Sequence, residues 1–467
     1  MALHVTNTLT RTKEEIRLRT PGLVRMYTCG PTVYRPAHLG NLRTFLLADL
    51  LRRALEATGV AVRQVQNITD VGHLTDEQFD RGEDRMLVSA RLEDKAPEEI
   101  AEHYTQRYLA DAAALNLEPA HVLPRASAYV PQMIELVGQL LERGNAYQAG
   151  GNVYFAVASF PAYGKLSRNT LDQLRAGHRQ ENIDPHKRHH ADFTLWKAAG
   201  SGRLMKWDSP WGEGFPGWHI ECSAMSLGEL GEHIDLHTGG VDNVFPHHED
   251  EIAQSEALVG HPVVSTWVHG EHLLSEGRRM AKSAGNFYDL DEVRARGHAP
   301  LAVRYLFLQA RYRTQLNFTW AALAGAERAL ERLRARVAGW SHGSGNEGDH
   351  EQQSRRYEER FQAAIADDLD TPRALTVLGE LEGDGVLSPA TRFAMVQRFD
   401  RVLGLNLAAA AGQTQTLPPG AAELIERREA ARAERDWAAA DRLRQELATM
   451  GVDLADTRSG TTWRLRG

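Results

Sequence analysis

A strand, a polar turn and a helix are predicted in direct succession between Leu23 and Gly59. The segment LVRMYT (Leu23–Thr28) alternates as a buried strand does, and the stretch RTFLLADLLRRALEATG carries apolar residues at helical spacing. The intervening turn, CGPTVYRPAHLGN, contains the glycines and prolines that end regular structure. This succession predicts an open α/β sheet, in which each strand passes through a loop into a helix.

The predicted turn is rich in residue types that bind ligands. In open α/β sheets ligands bind at the carboxyl ends of the strands, and the amino terminus of the following helix favours a phosphate group. We therefore expect His38 and Asn41 to contact phosphate or adenosine groups, and Gly40 to let the backbone approach them closely. The turn alone is also compatible with a cysteine in a core strand, Cys29, and a histidine in an ordinary loop.

A second group of residues has the donor types of a zinc site. His247 and Glu251 are four residues apart in HHEDEIAQSEA, which is predicted to be helical, so both side chains project from one face. A histidine nitrogen, a carboxylate oxygen and two thiolates make a plausible tetrahedral zinc shell, and the chain has two cysteines, Cys29 and Cys222. Spacing alone does not bring these cysteines to the helix. A solvated His/Glu face with two buried thiols is the alternative.

Composition narrows the class of protein. A chain of 467 residues allows about two to four domains, and two cysteines argue against a disulfide framework. The formal charge of −8 does not suit a general nucleic-acid coat, so any RNA contact must come from local basic patches. No apolar run approaches about 18 residues and the amino terminus lacks an export pattern. We therefore expect a cytoplasmic protein without membrane spans.

Two motifs far apart in the chain connect these observations. HLGN ends at Asn41, and EGRRMAKSAGNF contains Arg279, Ala281 and Lys282. They resemble the HIGH and KMSKS signatures of class I aminoacyl-tRNA synthetases. GWHIECSAM and FPHHEDEIAQSEA are similar to the cysteinyl-tRNA synthetase family in particular, and the similarity runs almost from end to end, to the terminal GTTWRLRG. The chain departs from the signatures at Asn41, Arg279 and Ala281, where histidine, lysine and serine are usual. The last change removes a hydroxyl from the loop that settles on ATP.

The resemblance implies an α/β fold with several parts. A Rossmann-type parallel-sheet catalytic domain is interrupted by an insertion, and it is followed by an α-helical domain and a small carboxyl-terminal anticodon-contacting segment. Together with shifts in sequence texture, it gives the boundaries 1–123 and 191–310 for the two catalytic halves, 124–190 for the insertion (connective peptide), 311–407 for the helical domain and 408–467 for the carboxyl-terminal segment.

The resemblance also implies a reaction. An enzyme of this family is a cysteine-tRNA ligase: it activates cysteine with ATP and Mg²⁺ to cysteinyl-adenylate, and transfers the cysteinyl group to the 3′-terminal adenosine of cysteine tRNA. It implies one Zn²⁺ per chain, through which cysteine is selected by a zinc-thiolate contact. We expect ATP, L-cysteine and tRNA(Cys) as partners and a monomeric enzyme.

Residue roles are carried over position by position. The residues that match the zinc ligands of the family are Cys29, Cys222, His247 and Glu251. Those that match its nucleotide-binding and catalytic positions are His38, Gly40, Asn41, Gly239, Gly240, Asp242, Arg279 and Lys282, with Lys282 stabilising the departing pyrophosphate and Arg279 assisting. Trp218 and His219 match the amino-acid pocket, although His219 is equally compatible with packing around it. The anticodon-contacting positions are Arg432, Asp441 and Asp456.

Two other functions share parts of this pattern. A ligase of the mycothiol pathway joins activated cysteine to an amino sugar and has the same catalytic motifs, but it does not need the long carboxyl-terminal part that ends in GTTWRLRG. A noncatalytic tRNA-binding or zinc-sensing relative is the second alternative. Retention of Lys282 and His38 argues against it.

Overall fold

The computed structural model describes residues 2–76, 81–170, 184–200, 202–280, 285–341, 350–409, 418–457 and 460–465. The chain divides into two compact units, Met1–Leu407 and Ala408–Gly467. Among the described residues, no helix combines the length and apolar character that crossing a membrane requires.

Four parallel strands form the central sheet of the first unit, and they confirm the predicted Rossmann-type fold. Their order across the sheet is β12, β11, β3 and β4, and the bounds are β3 (Leu23–Thr28), β4 (Ala61–Gln66), β11 (Ile234–Gly240) and β12 (Val264–Gly270). β4, the next strand of this sheet along the chain, pairs with one edge of β3, whereas β11 pairs with the other edge of β3. The strand order therefore changes direction at β3. Ligands bind at such a switch in strand order, at the carboxyl ends of the strands.

Small two- and three-stranded sheets surround this central sheet. β1 pairs with β2, β5 with β6, and β13 lies between β14 and β15. Their bounds are β1 (His4–Asn7), β2 (Thr12–Glu15), β5 (Leu74–Asp76), β6 (Arg81–Asp84), β13 (Leu273–Ser275), β14 (Arg278–Arg279) and β15 (Leu316–Phe318).

A separate antiparallel sheet has the strand order β10, β9, β8 and β7. Its strands are β7 (Ala146–Ala149), β8 (Asn152–Phe155), β9 (Phe193–Ala198) and β10 (Gly214–Pro216). Two of the strands precede His190 and two follow it, so the sheet spans the boundary expected at that residue.

Helices cover the catalytic part of the first unit. They are α1 (Leu39–Ala57), α2 (Arg85–Glu93), α3 (Pro97–Ala114), α4 (Val130–Glu142), α5 (Trp218–Leu230), α6 (Glu249–Val259), α7 (Leu290–Ala295) and α8 (Pro300–Leu308). α1 follows β3, as predicted, and its apolar residues, including Leu42, Leu46 and Leu51, are buried in the main core. The burial of this face explains why the polar turn before α1 is held in one place.

Four further helices follow in the first unit: α9 (Trp320–Trp340), α10 (Glu351–Ala366), α11 (Thr371–Gly383) and α12 (Pro389–Leu403). Apolar residues at helical spacing, such as Leu323, Leu330 and Val337 of α9, are buried in the same core cluster as α1. The second unit is built from α13 (Ala421–Ala433), α14 (Trp437–Thr449), β16 (Val452–Thr457) and β17 (Gly460–Leu465). β16 and β17 form an antiparallel hairpin.

Candidate active site

Four residues from three parts of the first unit meet behind the end of β3. Cys29 follows the last residue of β3, Cys222 lies on α5, and Glu251 lies in the first turn of α6. Together with His247 they each offer one ligand atom, and these atoms all lie within 4.8 Å of one another. All four residues are buried. The fold thus brings both cysteines close to His247 and Glu251, which their spacing in the sequence alone did not predict.

The histidine of this group lies on the helical turn that leads into α6. Val244–His248 forms a π-helical turn that runs directly into α6 at Glu249, so His247 and Glu251 share one helical run. Nε2 of His247 is 3.0 Å from Oε1 of Glu251, because the turn continues the winding of the helix. The two side chains therefore project from one face, as their spacing predicted.

A second set of donors overlaps the first. Cys29 and Glu251 also lie with His237 and His248 in a buried group whose ligand atoms meet the same 4.8 Å limit. Nε2 of His237 is 3.0 Å from Oε2 of Glu251, and Nε2 of His248 is 3.1 Å from Sγ of Cys29. Sequence reasoning missed both histidines, although His248 is adjacent to His247; His237 lies on β11.

The electrostatics of the first group suit a bound cation. Burial raises the pKa of the Cys29 thiol, and contact with Cys29 together with burial raises the pKa of Cys222 well above its ordinary value. Burial also opposes ionisation of Glu251, but His237 and His247 outweigh it and lower the pKa of this carboxyl to about 2. Two thiols that do not ionise by themselves become thiolates when a metal cation binds. This donor set therefore fits zinc.

Trp218 and His219 both contact the histidine of the first group. The Trp218 and His247 rings are 4.3 Å apart between centroids, and Nδ1 of His219 is 2.8 Å from Nδ1 of His247. Nε2 of His219 is 3.3 Å from a carboxylate oxygen of Asp250. Burial lowers the pKa of His219 well below its ordinary value, so this imidazole is neutral. Its observed contacts are with protein groups around the pocket.

A buried carboxylate fixes α5 from behind. Oε1 of Glu221 is 2.5 Å from Nε2 of His73, and the hydroxyl of Thr69 donates to Oε2 over 3.0 Å. Glu221 directly precedes Cys222, so these two contacts set the orientation of the helix that carries the cysteine. Sequence reasoning did not identify Glu221 or His73.

The start of α1 is a reciprocal cap. The backbone N–H of Asn41 donates to Nδ1 of His38 over 3.2 Å, and the backbone N–H of His38 donates to the side-chain Oδ1 of Asn41 over 3.2 Å. Asn41, which departs from the family signature, thus satisfies a backbone donor at the helix end. Burial, with Arg35, lowers the pKa of His38 to about 4, and Asp242 opposes this shift. A neutral imidazole therefore stands at the helix amino terminus.

The predicted glycines make room for histidine and aspartate side chains. A Cβ on Gly40 would lie 2.8 Å from Cε1 of His38, and one on Gly239 would lie 2.6 Å from Cε1 of His248. A Cβ on Gly240 would lie 2.4 Å from Oδ1 of Asp242. A side chain at any of these positions would force the neighbouring histidine or aspartate side chain to move. These glycines therefore allow the observed positions of His38, His248 and Asp242.

The second signature lies beside β14. Arg279 is exposed at the end of this strand, with Nη2 3.2 Å from Nε2 of His272. The side chain of Asn286 donates to the carbonyl oxygens of Ser275 and Arg279 over 3.2 and 3.0 Å, which ties the two ends of the loop together. Lys282 and Ala281 lie outside the described residues.

The predicted anticodon residues all belong to the second unit. Arg432 lies on α13 and Asp441 is exposed on α14, whereas Asp456 lies on β16 opposite Thr461 of β17. Nη1 of Arg432 is 3.5 Å from the Thr461 hydroxyl. The hairpin therefore brings the Asp456 position to the end of α13 that carries Arg432.

Comparison with known proteins decides the family. The family description "tRNA synthetases class I (C) catalytic domain" matches residues 15–328, and "Cysteinyl-tRNA ligase anticodon binding domain" matches residues 414–464. A cysteine–tRNA ligase of Thermus thermophilus is 44% identical over 482 residues, which is 100% of both chains. That of Chlorobaculum tepidum is 42% identical over 487 residues, or 99% of each chain.

The chain belongs to the cysteine–tRNA ligase family. It is therefore an enzyme, a class I aminoacyl-tRNA synthetase that ligates cysteine to tRNA. ATP, cysteine and tRNA are the substrates that this activity implies.

Solved structures of other class I synthetases share the fold of this ligase. A Mycobacterium tuberculosis methionyl-tRNA synthetase in complex with methionyl-adenylate superposes with a TM-score of 0.57 at 14% identity, covering 90% of this chain and 96% of that one. A ternary complex of Agrobacterium radiobacter K84 LeuRS with tRNA and LeuAMS gives 0.59 at 11% identity, covering 85% and 86%. At these identities the likeness concerns the fold.

Proposed function

We propose that this ligase selects cysteine through a zinc ion held by Cys29, Cys222, His247 and Glu251. The observation that carries the proposal is that one donor atom from each of these buried residues lies within 4.8 Å of all the others. Donor atoms around a tetrahedral zinc ion lie about 3.3 to 3.8 Å apart, which small side-chain movements reach from this arrangement.

The overlapping set has one thiol and two imidazoles, whereas the proposed set has two thiols. Soft thiolate ligands favour zinc, and imidazole also suits copper and nickel. His237 and His248 then serve as hydrogen-bonding partners of Glu251 and Cys29, a common arrangement around protein-bound zinc.

Selection of cysteine follows from the donor chemistry. Zinc held by these four residues would take the substrate sulfur as an additional ligand, and a thiolate provides that ligand far more readily than the hydroxyl of serine does. A pocket that sorts similar side chains by contact alone gains about 1 to 3 kcal/mol, which often forces a separate editing site. We propose that Trp218 and His219, which pack on His247, close the pocket around the cysteine side chain.

Adenylate formation is assigned to the two signatures. We propose that His38 and Asn41, at the start of α1, orient the phosphates of ATP, and that Gly239, Gly240 and Asp242 border the ribose. Lys282, with help from Arg279, stabilises charge on the departing pyrophosphate, while Mg²⁺ accompanies the ATP. The cysteine carboxylate itself attacks the α-phosphate, so no side-chain nucleophile is needed. Positioning and electrostatics account for the rate.

The same resemblance supports a division of labour along the chain. We propose that 1–123 and 191–310 form the catalytic domain around the insertion at 124–190, that 311–407 is the helical domain, and that 408–467 reads the anticodon with Arg432, Asp441 and Asp456. We further propose a monomeric enzyme that acts in the cytoplasm. Sedimentation equilibrium of the purified chain tests the oligomeric state.

Metal content and selectivity, measured together, test the proposal. Zinc per chain is determined by mass spectrometry, and ATP–pyrophosphate exchange is measured with cysteine and with serine, for the wild type, Cys222→Ala and Ser226→Ala. Ser226 is the matched control, because it is a buried residue of the same helix outside the donor set. We expect one zinc in the wild type and the control, and loss of zinc and of cysteine preference in Cys222→Ala. Full cysteine selectivity in zinc-free wild type would refute the proposal.

Charging of a cysteine tRNA transcript is measured beside the exchange reaction. Both reactions are expected. Exchange without charging would mean that the catalytic core activates cysteine for an acceptor other than tRNA.

A further inference from the structure

Cys29 stands at one end of a buried chain of hydrogen bonds. Its Sγ is 3.1 Å from Nε2 of His248, whose Nδ1 is 2.7 Å from Nε2 of His269. Nδ1 of His269 is in turn 2.6 Å from the hydroxyl of Thr8. Exposed fractions of 7% for Cys29, 0% for His248, 7% for His269 and 9% for Thr8 show that bulk water does not compete for these contacts.

Three separate elements supply the His248, His269 and Thr8 side chains of this series of hydrogen bonds. His248 belongs to the turn before α6, His269 lies near the end of β12, and Thr8 follows β1. The Thr8 amide donates to the carbonyl of Trp267, which fixes the loop that carries the hydroxyl against β12. The backbone hydrogen bond to β12 therefore holds the Thr8 hydroxyl beside His269.

Counting protons gives the chain a direction. In this chain of hydrogen bonds His248 and His269 each use both ring nitrogens, and a neutral imidazole carries one N–H and one acceptor nitrogen. Each of the three contacts needs one proton. Only two arrangements satisfy all of them: every donor points toward Cys29, or every donor points toward Thr8.

The charge of the sulfur selects between these arrangements. A thiol can donate to His248, and the donors then run outward to the Thr8 oxygen. A thiolate has no proton, so the Thr8 hydroxyl must donate to His269, His269 to His248, and His248 to the sulfur. A hydroxyl suits the far end because it can either donate or accept.

We infer that Thr8 and His269 are positioning residues of the metal centre, which act through His248 to place one N–H donor on the Cys29 thiolate. The inference rests on the proposed zinc site. It adds residues of β12 and of the loop after β1 to a centre whose ligands come from elsewhere in the chain. A direct hydrogen-bond partner of a metal ligand, as His248 is of Cys29, changes metal affinity by about 10- to 100-fold when it is lost, and Thr8 and His269 act through this partner.

Cobalt substitution tests the inference without recourse to catalysis. The thiolate-to-Co²⁺ charge-transfer band is recorded for the wild type, Thr8→Val, Thr8→Ser and His269→Phe, and zinc affinity is measured by competition with a chromophoric chelator. A hydrogen bond stabilises the thiolate electrons, so its loss moves the band to lower energy. We expect this shift, with zinc binding about tenfold weaker, in Thr8→Val and His269→Phe. Thr8→Ser keeps the hydroxyl and is expected to restore wild-type behaviour.

The outcomes separate this inference from the proposal beneath it. A wild-type protein that takes up neither zinc nor cobalt overturns both. Normal metal binding with the same band and the same zinc affinity in Thr8→Val and Thr8→Ser overturns the inference alone. A lower melting temperature of Thr8→Val with an unchanged band also overturns it, because Thr8 would then contribute only to folding.

Discussion

Arg304 and Asp49 form a fully buried ion pair that joins α8 to α1. Nη2 of Arg304 donates to Oδ2 of Asp49 over 2.6 Å, and the two side chains are 0% and 2% exposed. Nε of Arg304 also donates to the Leu403 carbonyl over 2.7 Å, at the end of α12. A Cβ on residue 404 would lie 2.4 Å from Nη2 of Arg304, so the glycine at this position leaves room for the guanidinium. The Arg304 side chain thus connects the end of α12 to α1, the helix that begins after His38.

Removing one partner of this pair is expected to be costly. Arg304→Ala leaves the buried Asp49 carboxylate with Arg53 as its ionic partner and removes the donor from the Leu403 carbonyl, so we expect a loss of about 3 kcal/mol, the lower end of the range for breaking a buried pair. Urea unfolding followed by circular dichroism measures the loss. Arg355→Ala is the control, because its pair with Glu351 is 69% and 71% exposed and contributes at most about 0.5 kcal/mol. Equal losses in the two variants would contradict the role of Arg304.

Asp384 is expected to make stability depend on pH in the acid range. Burial raises its pKa, but hydrogen bonds from Gln353, from two backbone amides and from Tyr357 outweigh this and lower it to about 2. A carboxyl whose folded pKa lies below its unfolded value near about 3.9 stabilises the fold above that value. Its contribution is lost as the pH falls from about 4 toward 2.

Asp384→Asn removes this dependence. At pH 7 the variant is expected to be less stable by about 1 kcal/mol, a figure that allows for partial solvent screening. The gap between the two urea midpoints should narrow as the pH is lowered from 5 to about 3. A gap that stays constant or widens would contradict the assignment.

Gly40→Ala is expected to impair catalysis more than stability. The new Cβ would approach Cε1 of His38 to 2.8 Å, so the ring must leave the helix cap. Displacement of a positioning group by about 1 Å costs up to about 100-fold in rate, and we expect ATP–pyrophosphate exchange to fall at least about tenfold. Gly325→Ala in α9, whose Cβ meets nothing within 4 Å, is the control and should retain full exchange. Exchange within twofold of wild type in Gly40→Ala would show that His38 tolerates the movement.

Local pattern predicted the elements that depend on neighbours in sequence. The strand Leu23–Thr28 has the predicted bounds, and the helix after it begins at Leu39, because His38 and Asn41 cap it reciprocally. The similarity of the motifs also pointed to Cys222 and His247, which the structure brings to Cys29. Periodicity reports which face of an element is buried, and that is the information these predictions required.

The remaining site contacts depend on sheet order, which periodicity does not encode. His237 and His269 lie on the adjacent strands β11 and β12, and only the parallel pairing of these strands brings them around His248. Gly239 illustrates the same limit: its local sequence does not predict that His248 lies where a Cβ on residue 239 would be. Sequence texture likewise does not predict that β7 and β8, before His190, form one sheet with β9 and β10 after it.

The second unit offers a test that separates tRNA recognition from chemistry. Asp456 lies on β16 opposite Thr461, which Arg432 contacts from α13. If this position contacts an anticodon base, Asp456→Ala lowers kcat/KM for charging full-length cysteine tRNA by about tenfold, within the range for one lost base contact. Cysteine-dependent ATP–pyrophosphate exchange should be unchanged, because the compact catalytic unit ends at Leu407.

A control and a second substrate make this result specific. Glu446→Ala changes an exposed acidic residue of α14 and should leave charging intact. A minihelix that carries only the acceptor arm should be charged equally by the wild type and Asp456→Ala, since it lacks the bases that Asp456 would contact. Equal losses in exchange and in charging would show that Asp456→Ala impairs folding of the whole protein. Asp456 would then no longer be assigned to the anticodon site.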